Sequence, residues 1–302
     1  MADAAYHKMH RESVPAPRGC PVDHAFSPFS ESYLKDPYAV LEELRATSPV
    51  FYSAELGYLV LTRMEDVAEV FRNPDLYASE NVQDPVLPLC DAAARILAAP
   101  DYNPIAVLSN RPRPDHTRIR KHAQAGFSSR RMRLLEPFIR RRCEALVEAM
   151  VARGAPAEFL GCIGFPLPGE TIFRLLGFPP ADDAQLKAWT TSRLTFTWGK
   201  ASEDEQVDIA RKVLAYWRYC VSFVQTRRAE PADDFTSELL AVHAADPEEL
   251  ALREIESIIY GLSVAGHEIV TNYLSNALIT LLAKRERWDQ LCGDPELVPG
   301  AL

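Results

Sequence analysis

The strongest constraint on the fold is a long, unbroken helical pattern late in the sequence. Over residues 248–282 only two glycines, Gly261 and Gly266, weaken it, which predicts a helix of roughly 35 residues, or about 52 Å. Apolar residues surround its axis: Ile258, Ile259, Leu262, Val264, Ala265, Ile269 and Val270. We therefore expect the middle of this helix to be buried on all sides. A helix of this length must cross its whole domain.

Shorter patterns predict a mainly α fold with a small β region near the N-terminus. Apolar stretches at residues 50–52 and 58–62 flank a short turn and predict a β-hairpin. Helical patterns recur at residues 38–46, 64–72, 91–98, 116–124, 130–152, 169–176, 182–195, 203–226 and 235–243. Residues 1–30 are polar and rich in proline, so we predict a flexible N-terminal arm followed by one domain over residues 31–302.

Composition and motifs exclude several classes of protein. The first 25 residues are charged and lack an apolar run, and no stretch of about 18 apolar residues occurs, so we expect no signal peptide and no membrane span. Six scattered cysteines without a CxxC pair indicate reduced thiols in the cytoplasm, and no His or Cys spacing indicates a metal site. No glycine-rich phosphate loop occurs, which argues against nucleotide binding.

The net charge of −9 is unevenly distributed. Residues 111–142 contain eleven Arg and Lys side chains against only Asp115 and Glu136, so this basic segment carries +9. Within it, His116 and Arg120 lie one helical turn apart, so both could contact one carboxylate-bearing ligand. The alternative is an ordinary solvated helix start capped by Asp115. The basic segment has few interleaved aromatic residues and the chain is acidic overall, so we expect no nucleic-acid partner.

A second candidate site lies in the middle of the long helix. Glu268 is a carboxylate in a segment predicted to be buried, and such a group is costly unless it is paired or used. Gly266 stands where alanine would favour the helix by about 1 kcal/mol, which indicates a kink or the close approach of a ligand. We therefore favour a function for Gly266-His267-Glu268. Ser263 lacks the preceding strand and later histidine of a nucleophile elbow, so we reject it as a nucleophile.

Both candidate sites resemble motifs of the cytochrome P450 family, heme-thiolate monooxygenases of the soluble bacterial type. Asp115-His-Thr-Arg-Ile-Arg-Lys121, followed by Gly126-Phe-Ser-Ser-Arg-Arg131, is similar to the family's C helix. The resemblance implies that His116 and Arg120 hold the heme propionates. Val264-Ala-Gly-His-Glu268 is similar to the oxygen-binding groove of the family's I helix. It implies that Ala265, Gly266 and Glu268 line the oxygen side, with Ile269 over the heme.

The resemblance carries further expectations. It implies a cytochrome P450 fold, heme b as cofactor, and insertion of one oxygen atom from O2 into a small organic substrate. Electrons would come from a ferredoxin- or flavin-type partner, which other residues of the basic segment would face. Cys20-Pro-Val-Asp-His24 and Val50-Phe-Tyr-Ser53 look most like the subfamily fused to its own reductase.

Two departures from the family pattern matter. A threonine normally follows the acid and relays protons; here Ile269 removes that hydroxyl, which predicts weak coupling to NAD(P)H or a preference for peroxide. Thr271 lies about 200° further round the helix and cannot replace it. The ExxR motif of the K helix and the FxxGxxxCxG heme-cysteine loop are both absent. We therefore predict a chain truncated before these elements and inactive alone; the alternative is a non-catalytic relative that binds small apolar molecules.

Overall fold

The structure, a computed structural model, describes residues 15–301. They form the helices α1 (Glu31–Lys35), α2 (Pro37–Thr47), α3 (Met64–Arg72), α4 (Asp91–Leu97), α5 (Asp115–Ala125), α6 (Ser129–Ala152), α7 (Pro166–Leu176), α8 (Asp183–Thr190), α9 (Arg193–Trp198), α10 (Glu203–Ala229), α11 (Phe235–Ala245), α12 (Leu252–Leu282), α13 (Arg285–Gly293) and α14 (Val298–Ala301). A π-helical turn, Leu160–Gly164, precedes α7. The mainly α prediction is confirmed. None of the described helices is both long and apolar enough to cross a membrane.

The β region is one three-stranded sheet of β1 (Val22–Asp23), β2 (Val50–Ser53) and β3 (Tyr58–Leu61). The predicted hairpin is confirmed, since β2 and β3 pair antiparallel; β1 joins β2 in parallel. Phe26 packs edge-on against the fully buried Phe51, with ring centroids 5.2 Å apart. Residues 22–26 of the predicted arm thus contribute to the sheet and its core, whereas residues 1–14 lie outside the described residues.

The chain divides into two compact units. The first contains the described residues up to Ile119 together with Ser192–Arg218. Its long segment before α5 is fixed by the backbone N–H of Val86, which donates to the Thr197 carbonyl (2.8 Å), and by the Trp217 indole, which donates to the Asp101 carbonyl (2.7 Å). Trp217 is fully buried and anchors the core of this unit.

The second unit contains Arg120–Thr191 and the described residues from Tyr219 onward, including α12. α12 packs chiefly against α7. It begins at Leu252, four residues later than predicted, because the Asp246 carboxylate accepts hydrogen bonds from the backbone N–H groups of Glu248 and Glu249 and holds a turn there.

An ion pair between the half-buried Arg227 and the buried Asp234 holds three helix ends of the second unit together. Gly177 ends α7 with φ of +91°, in the left-handed region that glycine adopts without strain. The Arg227 guanidinium donates to the Gly177 carbonyl (2.7 Å) and to the Asp234 carboxylate (2.5 Å). Asp234 also caps α11 by accepting from the backbone N–H of Ser237 (2.8 Å). The ends of α7 and α10 and the start of α11 are therefore held together.

Candidate functional site

The first candidate residues lie on α5. Asp115 pairs with Arg111 (2.5 Å) and Arg118 (3.6 Å), and the hydrogen bond from Arg111 is the main reason that the Asp115 pKa is lowered. Arg120 differs from these neighbours: it is exposed and forms no ion pair within residues 15–301. His116, half-buried, lies one turn before it. Arg120 is therefore available to an anionic ligand.

The end of α5 is fixed by contacts within the second unit. The His122 imidazole lies 2.6 Å from the Glu249 carboxylate, and this hydrogen bond lowers the Glu249 pKa. Gly126, just after α5, allows the Phe235 ring to pack against the backbone, because a Cβ there would stand 2.6 Å from that ring. These contacts fix the turn of α5 that follows Arg120.

Many cations of the basic segment are compensated. Arg131 pairs with Glu238, Arg140 with Glu136, and Arg142 with Glu170. The cations without an ion pair in the described part of the chain are all exposed: Arg113, Arg120, Arg130, Arg133 and Arg141. The excess positive charge is therefore concentrated at a few surface sites.

The second candidate residues lie on α12, and the prediction that its middle is buried on all sides is wrong. Ala265, Ile269 and Tyr273, spaced by four residues, form an exposed strip that we call the open face of α12; Ile269 is 66% exposed. Val270 is also exposed, and Glu268 is half-buried rather than buried. The neighbours that pack on α12 cover its other side, so apolar character all round the axis does not mean burial all round.

Gly266 has a packing partner on the covered side. A Cβ at this position would overlap Cγ1 of Ile172 on α7 and stand 2.7 Å from its Cδ1. The close approach that this glycine permits in the structure is therefore that of α7. Its assignment to the oxygen side of a heme stays a prediction.

His267 is a structural residue that the sequence analysis did not separate from Glu268. It is fully buried; its Nε2 lies 2.8 Å from the Thr190 hydroxyl, and the Phe165 and Phe173 rings pack edge-on against it. Burial, aided by the charge of Lys187, lowers the His267 pKa to about 4. The imidazole is therefore neutral at pH 7. Its hydrogen-bond partner Thr190 lies 77 positions earlier, so no local sequence signal identifies this role.

Two hydroxyls on the covered side of α12 are also used structurally. Ser263 Oγ donates to the Ile259 carbonyl (2.6 Å). Thr271 Oγ1 lies 2.9 Å from the carbonyl oxygens of both Gly164 and His267. Since Thr271 is buried on the opposite side from Ile269, its hydroxyl does not replace the one that Ile269 lacks.

Comparison with solved structures supplies the family. The chain is 33% identical to the cytochrome P450 CREJ, solved in complex with (4-ethylphenyl) dihydrogen phosphate; the TM-score is 0.85, over 92% of this chain and 68% of that one. The chain belongs to the cytochrome P450 family. An intact type IV self-sufficient cytochrome P450 monooxygenase is 30% identical with a TM-score of 0.86, over 95% of this P450 chain and 38% of its own. No family model matches.

A curated relative gives the same family. The vitamin D(3) 25-hydroxylase of Pseudonocardia autotrophica is 30% identical over 277 residues. The match covers 91% of this P450 chain and 64% of the relative. The chain thus spans slightly less than two thirds of the length of this relative.

The family implies heme, and the P450 residues described above fit part of a heme site. Arg120 offers an uncompensated guanidinium for a propionate. Ala265 and Ile269 offer an exposed apolar strip for a flat ring. All six cysteines are free, and none lies in an FxxGxxxCxG loop. Residues 15–301 also contain no group of three His, Cys, Asp or Glu side chains that could hold a metal. The fit therefore extends to the propionates and the oxygen side, but not to the axial ligand.

Proposed function

We propose that this chain is the N-terminal part of a heme-dependent monooxygenase that inserts one oxygen atom of O2 into a small organic substrate. The observation that carries the proposal is the open face of α12, where an apolar strip adjoins the half-buried Glu268. A contiguous exposed apolar strip marks a surface that a ligand can cover, and it suits a flat, largely apolar cofactor.

The cofactor and the residues of this chain would have the following roles. Heme, when bound, supplies the activation of O2 and the redox chemistry. His116 and Arg120 would hold its propionates, with Arg120 giving two parallel hydrogen bonds. Ala265 and Ile269 would lie along its oxygen side and exclude water. Gly266, which lets Ile172 of α7 pack closely on the covered side, would position this part of α12.

Glu268 would hold a proton at its carboxyl group and release it toward the oxygen side. In this chain no alcohol follows the acid, because position 269 is isoleucine and Thr271 is bonded on the covered side. A water molecule or a substrate hydroxyl would have to complete the proton path. We therefore propose weak coupling of reductant to product.

The exposed and uncompensated Arg130, Arg133 and Arg141 of α6 would attract an electron-donating partner of ferredoxin or flavin type. Likeness to a self-sufficient P450 supports a donor fused to the same polypeptide. A separate donor protein would contact the same arginines.

A spectrum tests the proposal. We propose that the 302-residue chain lacks the axial thiolate and is inactive alone, so its reduced form with carbon monoxide should not absorb where thiolate-ligated heme does. A fusion of this chain to the C-terminal third of the CREJ P450 should show that absorption, and Arg120→Gln in the fusion should weaken heme retention about tenfold, equivalent to about 1.4 kcal/mol. Arg141→Gln, also exposed and unpaired, is the matched control.

Two outcomes would contradict the proposal. If the 302-residue chain alone gave the spectrum of thiolate-ligated heme, it would already supply an axial cysteine, which contradicts the proposal. A folded fusion that takes up no heme would favour the second candidate, a non-catalytic protein that binds small apolar molecules. The observation behind that candidate is Ile269, which leaves the open face apolar where a proton-relaying alcohol is expected.

A further inference from the structure

A separate cavity of about 550 Å³ lies within the second unit, between α6, α7 and α8. None of its lining residues belongs to the proposed heme site. Two aromatic side chains, Phe138 and Phe178, form part of its wall. Its charged lining consists of Arg142, Glu170, Arg174, Asp183 and Lys187. Its volume lies within the range of small-molecule sites, and its lining combines two aromatic side chains with five charged groups.

The three cations of this pocket are unequally compensated. Arg142 is fully engaged, because its guanidinium donates to both oxygens of Glu170, one of them at 2.9 Å. Arg174 is exposed, lies 5.4 Å from the centroid of the Phe138 ring, and forms no ion pair in the described part of the chain. Lys187 Nζ donates to the Phe165 carbonyl (2.5 Å) and likewise has no carboxylate within ion-pair distance among residues 15–301. Two cations therefore remain to be compensated.

The second carboxylate of the pocket, Asp183, offsets only one of these two positive charges, and only when it is ionised. Asp183 forms no ion pair within the described residues, and burial raises its pKa to about 6. The charges of Glu170 and Asp182 raise this pKa further, while Lys187 and Arg142 oppose the shift. Burial lowers the pKa of Lys187 to about 8, with Arg142 lowering it too and the two carboxylates opposing. Arg142 and Glu170 neutralise each other, so the pocket holds an excess of one positive charge when Asp183 is ionised.

We propose that this pocket binds a small organic monocarboxylate, with its carboxylate held by Arg174 and Lys187 and its aromatic or short aliphatic body against Phe138 and Phe178. When Asp183 is ionised, a single negative charge balances the excess of one cation; when Asp183 is protonated, the repulsion falls and the same ligand binds more tightly. A bare or doubly charged anion fits less well, because it would leave the aromatic wall unused and would be repelled by Glu170 and Asp183. The proposal is independent of the proposed monooxygenase activity.

Calorimetric titration of the 302-residue chain with benzoate, and with benzamide as the neutral counterpart, tests this site. At pH 6 benzoate should bind at least tenfold more tightly than benzamide. Arg174→Gln and Lys187→Met should each weaken benzoate binding at least fivefold. Arg141→Gln, on α6 next to Arg142 but outside the pocket lining, should leave it unchanged.

The pH dependence adds a second test. An ionised Asp183 repels the ligand, so benzoate binding should weaken as pH rises through about 6, and again above about 8 as Lys187 loses its proton. Asp183→Asn should abolish the first step and keep the second. Binding an anion raises both pKa values, so the titration should show proton uptake.

Several results would overturn the proposal: equal binding of benzoate and benzamide, binding of inorganic phosphate as tight as that of benzoate, or unchanged affinity in Arg174→Gln. Circular dichroism checks that each variant is folded. Should Lys187→Met fail this check because Lys187 is half-buried, the exposed Arg174 still decides the result.

Discussion

Replacing Gly266 with alanine tests why the long helix carries a glycine at its midpoint. Alanine is favoured over glycine inside a helix by about 1 kcal/mol, so the variant would be more stable if the glycine served only a ligand on the open face. The structure predicts the opposite. The new Cβ would overlap Ile172 Cγ1 and stand 3.0 Å from Ile172 Cβ, and Ile172 is only 6% exposed.

The magnitude follows from two opposing effects. Overpacking a filled core typically costs about 1–3 kcal/mol. The upper half of that range applies here, because the contact with Ile172 Cβ cannot be relieved by a change of rotamer. After subtraction of the helix preference of about 1 kcal/mol, we expect Gly266→Ala to lower the free energy of unfolding by about 1–2 kcal/mol.

A double-mutant cycle isolates the contact. Ile172→Ala removes the overlapping Cγ1 and Cδ1 atoms and leaves only the 3.0 Å contact with Cβ, so in that background Gly266→Ala should cost at least about 1 kcal/mol less than in wild type. Urea denaturation of the four proteins, followed by circular dichroism, measures the coupling. Gly293→Ala, with no atom within 4 Å of its new Cβ, is the matched control and should be neutral or stabilising. Stabilisation by Gly266→Ala alone, or an equal cost in both backgrounds, would refute the packing explanation.

Two further predictions concern buried polar groups in the second unit. Burial lowers the His267 pKa from 6.5 to about 4. Between these two pH values the imidazole is protonated in the unfolded chain but neutral in the folded protein. The free energy of unfolding should therefore fall by up to about 3 kcal/mol as pH drops from 6.5 to 4. Urea titrations of wild type and His267→Gln should therefore converge between pH 6.5 and 4, and a constant difference would contradict the assignment. Asp234→Ala leaves Arg227 without its ion pair and α11 without its cap, so thermal unfolding should show that the free energy of unfolding falls by about 3 kcal/mol. A decrease below about 1 kcal/mol would mean that the ion pair is effectively solvated.

The sequence was sufficient for elements whose signals are local. Asp36 accepts hydrogen bonds from the first backbone N–H groups of α2, and Pro37 starts that helix, as the residue types indicate. The β2–β3 hairpin and the end of α12 at Leu282 also follow from neighbours in sequence. Such features depend on residues within one or two turns, which a sequence pattern records.

The parts that could not be predicted depend on distant residues. His267 bonds to Thr190, 77 positions earlier, and no local pattern connects them. Gly266 faces Ile172 on α7. Helix propensity alone does not show which neighbouring residue a glycine allows to approach. The pocket of Arg174 and Lys187 likewise requires α6, α7 and α8 to meet. Motif resemblance found α5 and α12, but not the packing that orients α12.

Because of that packing, residues on the two sides of α12 contribute differently to stability. Ser263, His267 and Thr271 repeat every four residues on the covered side, and each is hydrogen-bonded within the protein. Ala265 and Ile269 repeat in the same way on the open face. A residue that is 66% exposed contributes little to stability, so the isoleucine at 269 is not required to hold the described fold together. Any effect of residue 269 on function must therefore act through what covers the open face. A change to threonine should alter ligand chemistry while leaving the free energy of unfolding within about 0.5 kcal/mol of wild type.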